Sequence, residues 1–211
     1  AGANGDRRSS RELCMFLMDA NQPAVKRTAI HGKMGIRGSE TAEMSLEGAF
    51  VPADHLLGNV GDGLRIALSA LDGGRIGIAS QALGIGHAAL DLMTEYARTR
   101  EQFGRPIGDF QAIQWYLADT ATELAAAQAL VDRAAMLKDA GQPYTQEASM
   151  AKLYASEAAG RAVDRGVQVH GGYGFVHEFR IEQLYRDARI TRIYEGTSEI
   201  QRHVIAKNVL R

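Results

Sequence analysis

The rhythm of apolar and polar positions changes near residue 60. Before it, apolar residues come in short runs cut by turn formers. ELCMFLMDA (12–20), AVKRTAIHG (24–32) and ETAEMSLEGAF (40–50) each have strand character, with breakers such as Asn21-Gln22-Pro23 and Gly38-Ser39 between them. Three strands alone do not make a stable sheet with its own core. This stretch is therefore expected to be the tail of a β-domain whose other strands lie outside the chain. VPADHLLGNVGDG (51–63) reads as a connection.

Beyond it the pattern is helical. Leu64 to about Thr99 forms one long stretch containing several glycines, and Gln111 to about Ala140 a second, with Ile113, Leu117, Leu124 and Val131 on one stripe. Gly141-Gln142-Pro143 stops it. Thr145 to about His170 is a third helix, rich in small residues, closed by Gly171-Gly172-Tyr173-Gly174; shorter ones follow at about Ile181–Ile190 and Ser198–Val209. Long helices on short connections predict an antiparallel four-helix bundle. The expected fold class is mostly α, a helical bundle over 60–211 preceded over 1–59 by the last strands of a β-domain and a linker. No internal repeat is visible.

The 211 residues are 45% hydrophobic and 23% charged, with net charge −1, the composition of a soluble globular protein. The near-neutral balance speaks against a nucleic-acid partner, and no apolar run approaches the length of a membrane span. Cys14 is the single cysteine, so no disulfide forms within the chain and a reducing compartment fits. The opening AGANGDRRSS has no apolar core, is not a secretory signal, and reads as a loop.

Four places carry candidate chemistry. In RIYEGTSEIQR, Ser198 and Gln201 fit a capping box, which places Glu195 on a loop just ahead of a helix. The helix dipole holds such a carboxylate in its charged form, a poor base; an apolar ligand that expels water makes it a stronger one. A solvated charge or a cap fits the spacing equally well. In Gln168-Val169-His170-Gly171-Gly172, paired glycines expose backbone to a pyrophosphate or simply cap a helix. His170 has no second ligand at metal-like spacing, so no metal site is expected. Arg100 and Arg105 flank Phe103 between two helices, a set able to hold a phosphate and stack on a ring system, or a loop whose phenylalanine plugs the bundle. Asp72 and Arg75 stand three apart, an intrahelical ion pair at least. The glycines between them, Gly73 and Gly74, disfavour helix by about 1 kcal/mol each, which suggests that something large approaches there.

In order and spacing, GKMGIRGSETAEMSLEGAFVPADHLLG, LDGGRIGIASQALGIGHAALD, REQFGRPIGDFQAIQ, QVHGGYGF and YRDARITRIYEGTSEIQR resemble the acyl-CoA dehydrogenase family, most of all its short-chain (butyryl-CoA) members. The resemblance covers almost the whole chain after the first ten residues. It implies an N-terminal helical domain, a middle β-domain and a C-terminal four-helix bundle, of which this chain holds the last β-strands and the bundle. It also implies FAD-dependent α,β-dehydrogenation of an acyl-CoA thioester to the trans-2-enoyl-CoA.

On that resemblance Glu195 matches the base that takes the pro-R α-proton while the β-hydride passes to flavin N5, and Gly196 lies against the thioester. Thr197 and Glu199 match flavin-nucleotide contacts. Arg100, Gln102, Phe103 and Gln111 match residues that hold the FAD pyrophosphate and adenosine across a subunit interface. Gln168, Gly171 and Gly172 match a further nucleotide contact from the neighbouring subunit, and Asp72 and Arg75 match contacts to the CoA portion. Relatives acting on branched or long chains carry their base at the position of Gly74, so this sequence resembles the straight-chain, short-to-medium type. The expected partners are the acyl-CoA substrate, an electron-transfer flavoprotein and further copies of the chain in a homotetramer. The expected compartment is a bacterial cytoplasm, or a mitochondrial matrix in a eukaryote. Two alternatives stay open: an acyl-CoA oxidase, and an inactive C-terminal fragment or assembly subunit.

Overall fold

The computed structural model describes residues 13–210, so the loop expected over the first ten residues lies outside it. The chain divides into two compact units. One runs up to Lys33 and takes in Arg37–Leu71; the other is Met34–Ile36 with the chain from Asp72 onward.

The first unit contains β1 (Met15–Phe16), β2 (Val25–Ala29), β3 (Ala42–Leu46) and β4 (Leu56–Leu57). They form two separate antiparallel ladders, β1 with β4 and β2 with β3, the latter in register from Val25↔Leu46 to Ala29↔Ala42. Strand β1 is far shorter than the apolar run 12–20 that predicts it, and β4 lies in the stretch read as a connection. Both differences have one cause: a strand lasts only where a partner backbone lies alongside, and β1 and β4 supply one another with two residues each. Val25 is the one strand residue buried here, while Met44 and Leu46 are more than half exposed. These strands build no core of their own.

The second unit is helical. It holds most of α1 (Gly63–Thr99), then α2 (Gln111–Asp139), α3 (Thr145–His170), α4 (Ile181–Ala188) and α5 (Ser198–Val209). A two-residue hairpin, β5 (Glu101–Gln102) with β6 (Arg105–Pro106), links α1 to α2. The bundle's core is built largely from alanine. Ala79, Ala82 and Leu83 of α1 meet Leu124, Ala127, Val131 and Ala134 of α2 and Ala151, Ala155 and Ala159 of α3. A second cluster joins Ala89, Ala162 and Val163 to Ile181, Leu184 and Ala188 of α4. Small residues let the backbones approach: a Cβ at Gly86 would stand 2.5 Å from Leu124 Cδ2.

The turn residues act where expected. Gly141 takes φ +65° after α2 and Gly171 φ +58° after α3, conformations open to glycine at little cost. Helix α4 ends earlier than its apolar pattern implies, tightening into a 3₁₀ turn over Arg189–Arg192. Among the described residues one helix, α1, is long and apolar enough by composition to cross a membrane, a property that core helices of globular domains share; its alanine, isoleucine and leucine raise the mean hydropathy without forming an unbroken apolar run.

Candidate active site

Between the 3₁₀ turn and α5 the backbone makes an unusual excursion. Glu195 has φ 54° and Gly196 φ 91°. The left-handed conformation costs a residue with a Cβ about 1–2 kcal/mol, so something must hold Glu195 there. Gln201, fully buried on α5, donates from Nε2 to the carbonyl oxygens of Glu195 (3.1 Å) and Gly196 (2.9 Å). From α3, Lys152 Nζ donates to the same Gly196 oxygen at 2.7 Å. The Tyr194 hydroxyl donates to Gln81 Oε1 on α1, and burial pushes this phenol above its usual range.

The capping box expected from Ser198 and Gln201 does not form. Thr197 is the N-cap, its Oγ1 accepting from the Ile200 N–H, and Ser198 is the first helical residue, donating to Glu157 Oε1 at 2.9 Å. With Gln201 drawn inward to the loop carbonyls, the cap passes to the residue one position earlier. The Glu199 carboxyl is held below its usual range by its own backbone N–H and the Thr197 hydroxyl.

The Glu195 carboxylate comes to rest on α1. A Cβ built at Gly74 would lie 2.5 Å from Glu195 Oε2, so the approach that the paired glycines suggest is that of this carboxylate. Flanking Gly74 in the same turn, Arg75 Nη1 bonds Asp72 Oδ1 at 2.7 Å, and Thr145 Oγ1 donates to Asp72 Oδ2 at 2.6 Å. Arg75 is buried, with its Nε lacking a hydrogen-bond partner. Lys152 has no exposed surface; burial first, and Arg75 second, lower its pKa to about 8 against the opposing pull of Glu157, Glu195 and Glu199.

Arg100, Gln102, Gly171 and Gly172 gather elsewhere, around an open cavity of about 700 Å³ where the β5–β6 hairpin meets the end of α3. Aromatic rings wall it. Tyr96 stacks on His170 with centroids 4.3 Å apart, Phe179 and Tyr173 pack beside them, and the Arg100 guanidinium lies 5.6 Å from the centre of the Tyr173 ring. His170 Nδ1 lies 2.8 Å from the Gly166 carbonyl, and burial lowers the ring's pKa. A Cβ at Gly171 or Gly172 would meet nothing within 4 Å, so this turn faces open space.

Phe103 does not plug the bundle. It is 92% exposed with φ 54°, edge-on to Phe110. Gln111, the first residue of α2, and Gln168 are exposed as well, and neither lines the cavity; the Gln168 carbonyl accepts the Gly171 N–H.

The candidate residues thus fall into two groups: Asp72, Arg75, Glu195, Gly196, Thr197 and Glu199 at one place, Arg100, Gln102, Gly171 and Gly172 at another. At about 1.5 Å per residue, α1 carries Gly74 and Thr99 roughly 37 Å apart. Lys152 and Gln201 were not among the candidates. The signal for Lys152 is a charge at a core position of α3, among Ala148, Ala151, Ala155 and Ala159. For Gln201 no such signal exists, since a capping role explains it from sequence alone.

The family profile described as acyl-CoA dehydrogenase, C-terminal domain, matches residues 61–210. The chain is 50% identical over 199 residues to the acryloyl-CoA reductase (NADH) of Anaerotignum propionicum, covering 94% of this chain and 50% of that protein. It is equally similar, 50% over 202 residues, to the mitochondrial short-chain specific acyl-CoA dehydrogenase of Homo sapiens, covering 96% of this chain and 49% of the relative. The solved structure of butyryl-CoA dehydrogenase from Megasphaera elsdenii superposes with TM-score 0.94 at 41% identity, over 99% of this chain and 54% of that one. The chain spans about half the length of the curated relatives it matches. On this evidence it belongs to the acyl-CoA dehydrogenase family, whose C-terminal helical domain it contains.

Proposed function

We propose that this chain supplies the base-bearing part of a flavin-dependent enzyme that interconverts short- to medium-chain acyl-CoA and trans-2-enoyl-CoA thioesters, with Glu195 moving the α-proton. The observation that carries the reading is the Glu195 carboxylate resting on Gly74, on a loop whose two carbonyls are tied from α3 and α5. A base must be held where the proton will be. The backbone N–H of Glu195 is assigned to polarise the thioester carbonyl, lending the α-carbon acidity it lacks in water. The acyl chain expels water on binding and strengthens the carboxylate as a base. Asp72 and Arg75 are assigned to the CoA portion, with Gly196 against the thioester.

The second cluster suits FAD. A guanidinium, an amide and two open glycines beside aromatic rings match a diphosphate joined to flat ring systems. Arg100, Gln102, Phe103, Gln111, Gln168, Gly171 and Gly172 are assigned to hold it, with Thr197 and Glu199 touching its nucleotide from the Glu195 side. When bound, FAD supplies the hydride acceptor for the β-carbon. The separation along α1 places both groups around one cofactor only if two copies contribute, which supports a homo-oligomer, taken here as a tetramer. An electron-transfer flavoprotein is the assigned redox partner.

The direction of turnover has a second reading. The relative named as an acryloyl-CoA reductase is as similar as the dehydrogenase, and by microscopic reversibility the same Glu195 would deliver the α-proton to an enoyl-CoA. Anaerobic visible spectra decide between them. Bleaching of a flavin band by butyryl-CoA supports dehydrogenation, and reoxidation of reduced flavin by enoyl-CoA outpacing it supports reduction. A flavin-loaded protein that responds to neither thioester rejects the proposal. Faster turnover with oxygen than with electron-transfer flavoprotein would identify an oxidase instead.

A further inference from the structure

Lys152 occupies a core position of α3 with no exposed surface, on a face otherwise made of small residues, Ala148, Ser149, Ala151, Ala155 and Ser156. Desolvating an ammonium group is unfavourable, and packing alone would be met by a leucine or methionine. Its Nζ donates to the Gly196 carbonyl oxygen at 2.7 Å. Gln201 approaches the same segment from α5, and its amide orientation follows from chemistry: turned over, its oxygen would face two carbonyls. In the observed orientation Nε2 serves both carbonyls while the buried Oε1 has no partner. Two buried donors from two helices therefore converge on a two-residue segment with φ 54° and 91°. The outcome of that conformation is the carboxylate lying where a Cβ at position 74 would otherwise be.

We propose that Lys152 is a positioning residue for the Glu195 base: its buried ammonium holds the Gly196 carbonyl and, with Gln201, locks Glu195 in the left-handed conformation that lays its carboxylate on Gly74. The inference rests on the reading of Glu195 as base. The charged groups that face the ammonium are Arg75 of α1, Glu157 of α3, Glu195 itself and Glu199 of α5. Lys152 touches neither substrate nor proton in this scheme; it acts through the loop.

The test is Lys152→Met, which keeps length and apolar bulk and removes charge and donor. Amide hydrogen exchange on the full chain, without substrate, is expected to rise about tenfold or more over residues 194–198, with α1 and α3 keeping their protection. In the flavin-loaded enzyme, flavin reduction by butyryl-CoA is expected to slow by about 100-fold, the effect of a reacting group misplaced by about 1 Å, with thioester affinity within about threefold. Unchanged loop exchange, or an unchanged reduction rate, overturns the assignment. So does loss of protection throughout α1 and α3, which marks Lys152 as structural. If Lys152→Met does not fold, Lys152→Gln, which removes the charge and whose amide ends one bond short of the lysine nitrogen, is read in the same two ways, and there normal loop exchange and a normal rate are the overturning result. Because the exchange experiment contains no substrate, it separates failure of the clamp from failure of Glu195 as base, which Glu195→Gln tests alone.

Discussion

At the Glu195 end of the bundle the functional groups are tied down. The carboxylate rests on Gly74, its loop carbonyls are bonded to Lys152 and Gln201, and Asp72 is shared between Arg75 and Thr145. At the Arg100 end the opposite holds. The hairpin and the Gly171-Gly172 turn are exposed, and Arg100 has a ring rather than a carboxylate for company. The contrast matches a division of labour. A group that must meet one proton benefits from a fixed position, whereas groups that grip a ligand must present unspent hydrogen-bonding capacity before it arrives.

The sharpest way to break this comparison is Glu195→Gln. The amide keeps the shape and loses the base, so flavin reduction by butyryl-CoA should fall by about 10²–10⁴-fold with thioester binding retained; rapid-mixing absorbance checks both. Gly74→Ala comes next. A Cβ there would displace the flexible end of Glu195 rather than backbone, so the rate should drop by about 100-fold. Alanine favours helix by up to about 1 kcal/mol over glycine, so the thermal midpoint should hold or rise; a variant both slower and markedly less stable would mean that packing, not the base, was disturbed.

Arg100→Ala probes the open end. Loss of one charge-assisted bond predicts FAD affinity weakened about tenfold or more with stability unaltered, read by flavin fluorescence on titration. The smallest effect concerns Lys152. Its folded pKa of about 8 lies below the 10.5 of a free lysine, so between those values the unfolded chain holds more protons and stability climbs with pH. Lys152→Met should flatten that climb in urea melts across this window; equal slopes would show that Lys152 titrates as though exposed.

Much of the bundle was readable from sequence because its signals are local. Thr145 and His170 bound α3 where the breakers place them, and Leu124 and Val131 do enter the core. The strands were harder, since the length of a strand is set by its partner and not by its own residues. The capping box failed for a related reason: a glutamine three residues after a serine caps a helix only if nothing deeper claims it, and the Glu195–Gly196 carbonyls do. Gly73 and Gly74 betrayed an approach without naming the approaching group, which arrives from a loop distant in sequence. Of the chemistry proposed, Glu195 rested on family resemblance; local spacing left it a solvated charge or a cap.

Burial of Lys152 has a consequence for the protein's chemical durability. An amine with a pKa of about 8 spends much of its time neutral in mildly alkaline solution, and neutral amines attack thioesters. If acyl-CoA is the substrate, each turnover brings such an electrophile beside the loop that covers Lys152. With no exposed surface and its nitrogen held beneath the loop against Gly196, the side chain is shielded from self-acylation. An acyl group found on Lys152 by mass spectrometry would then be a scar recording moments when the loop had opened.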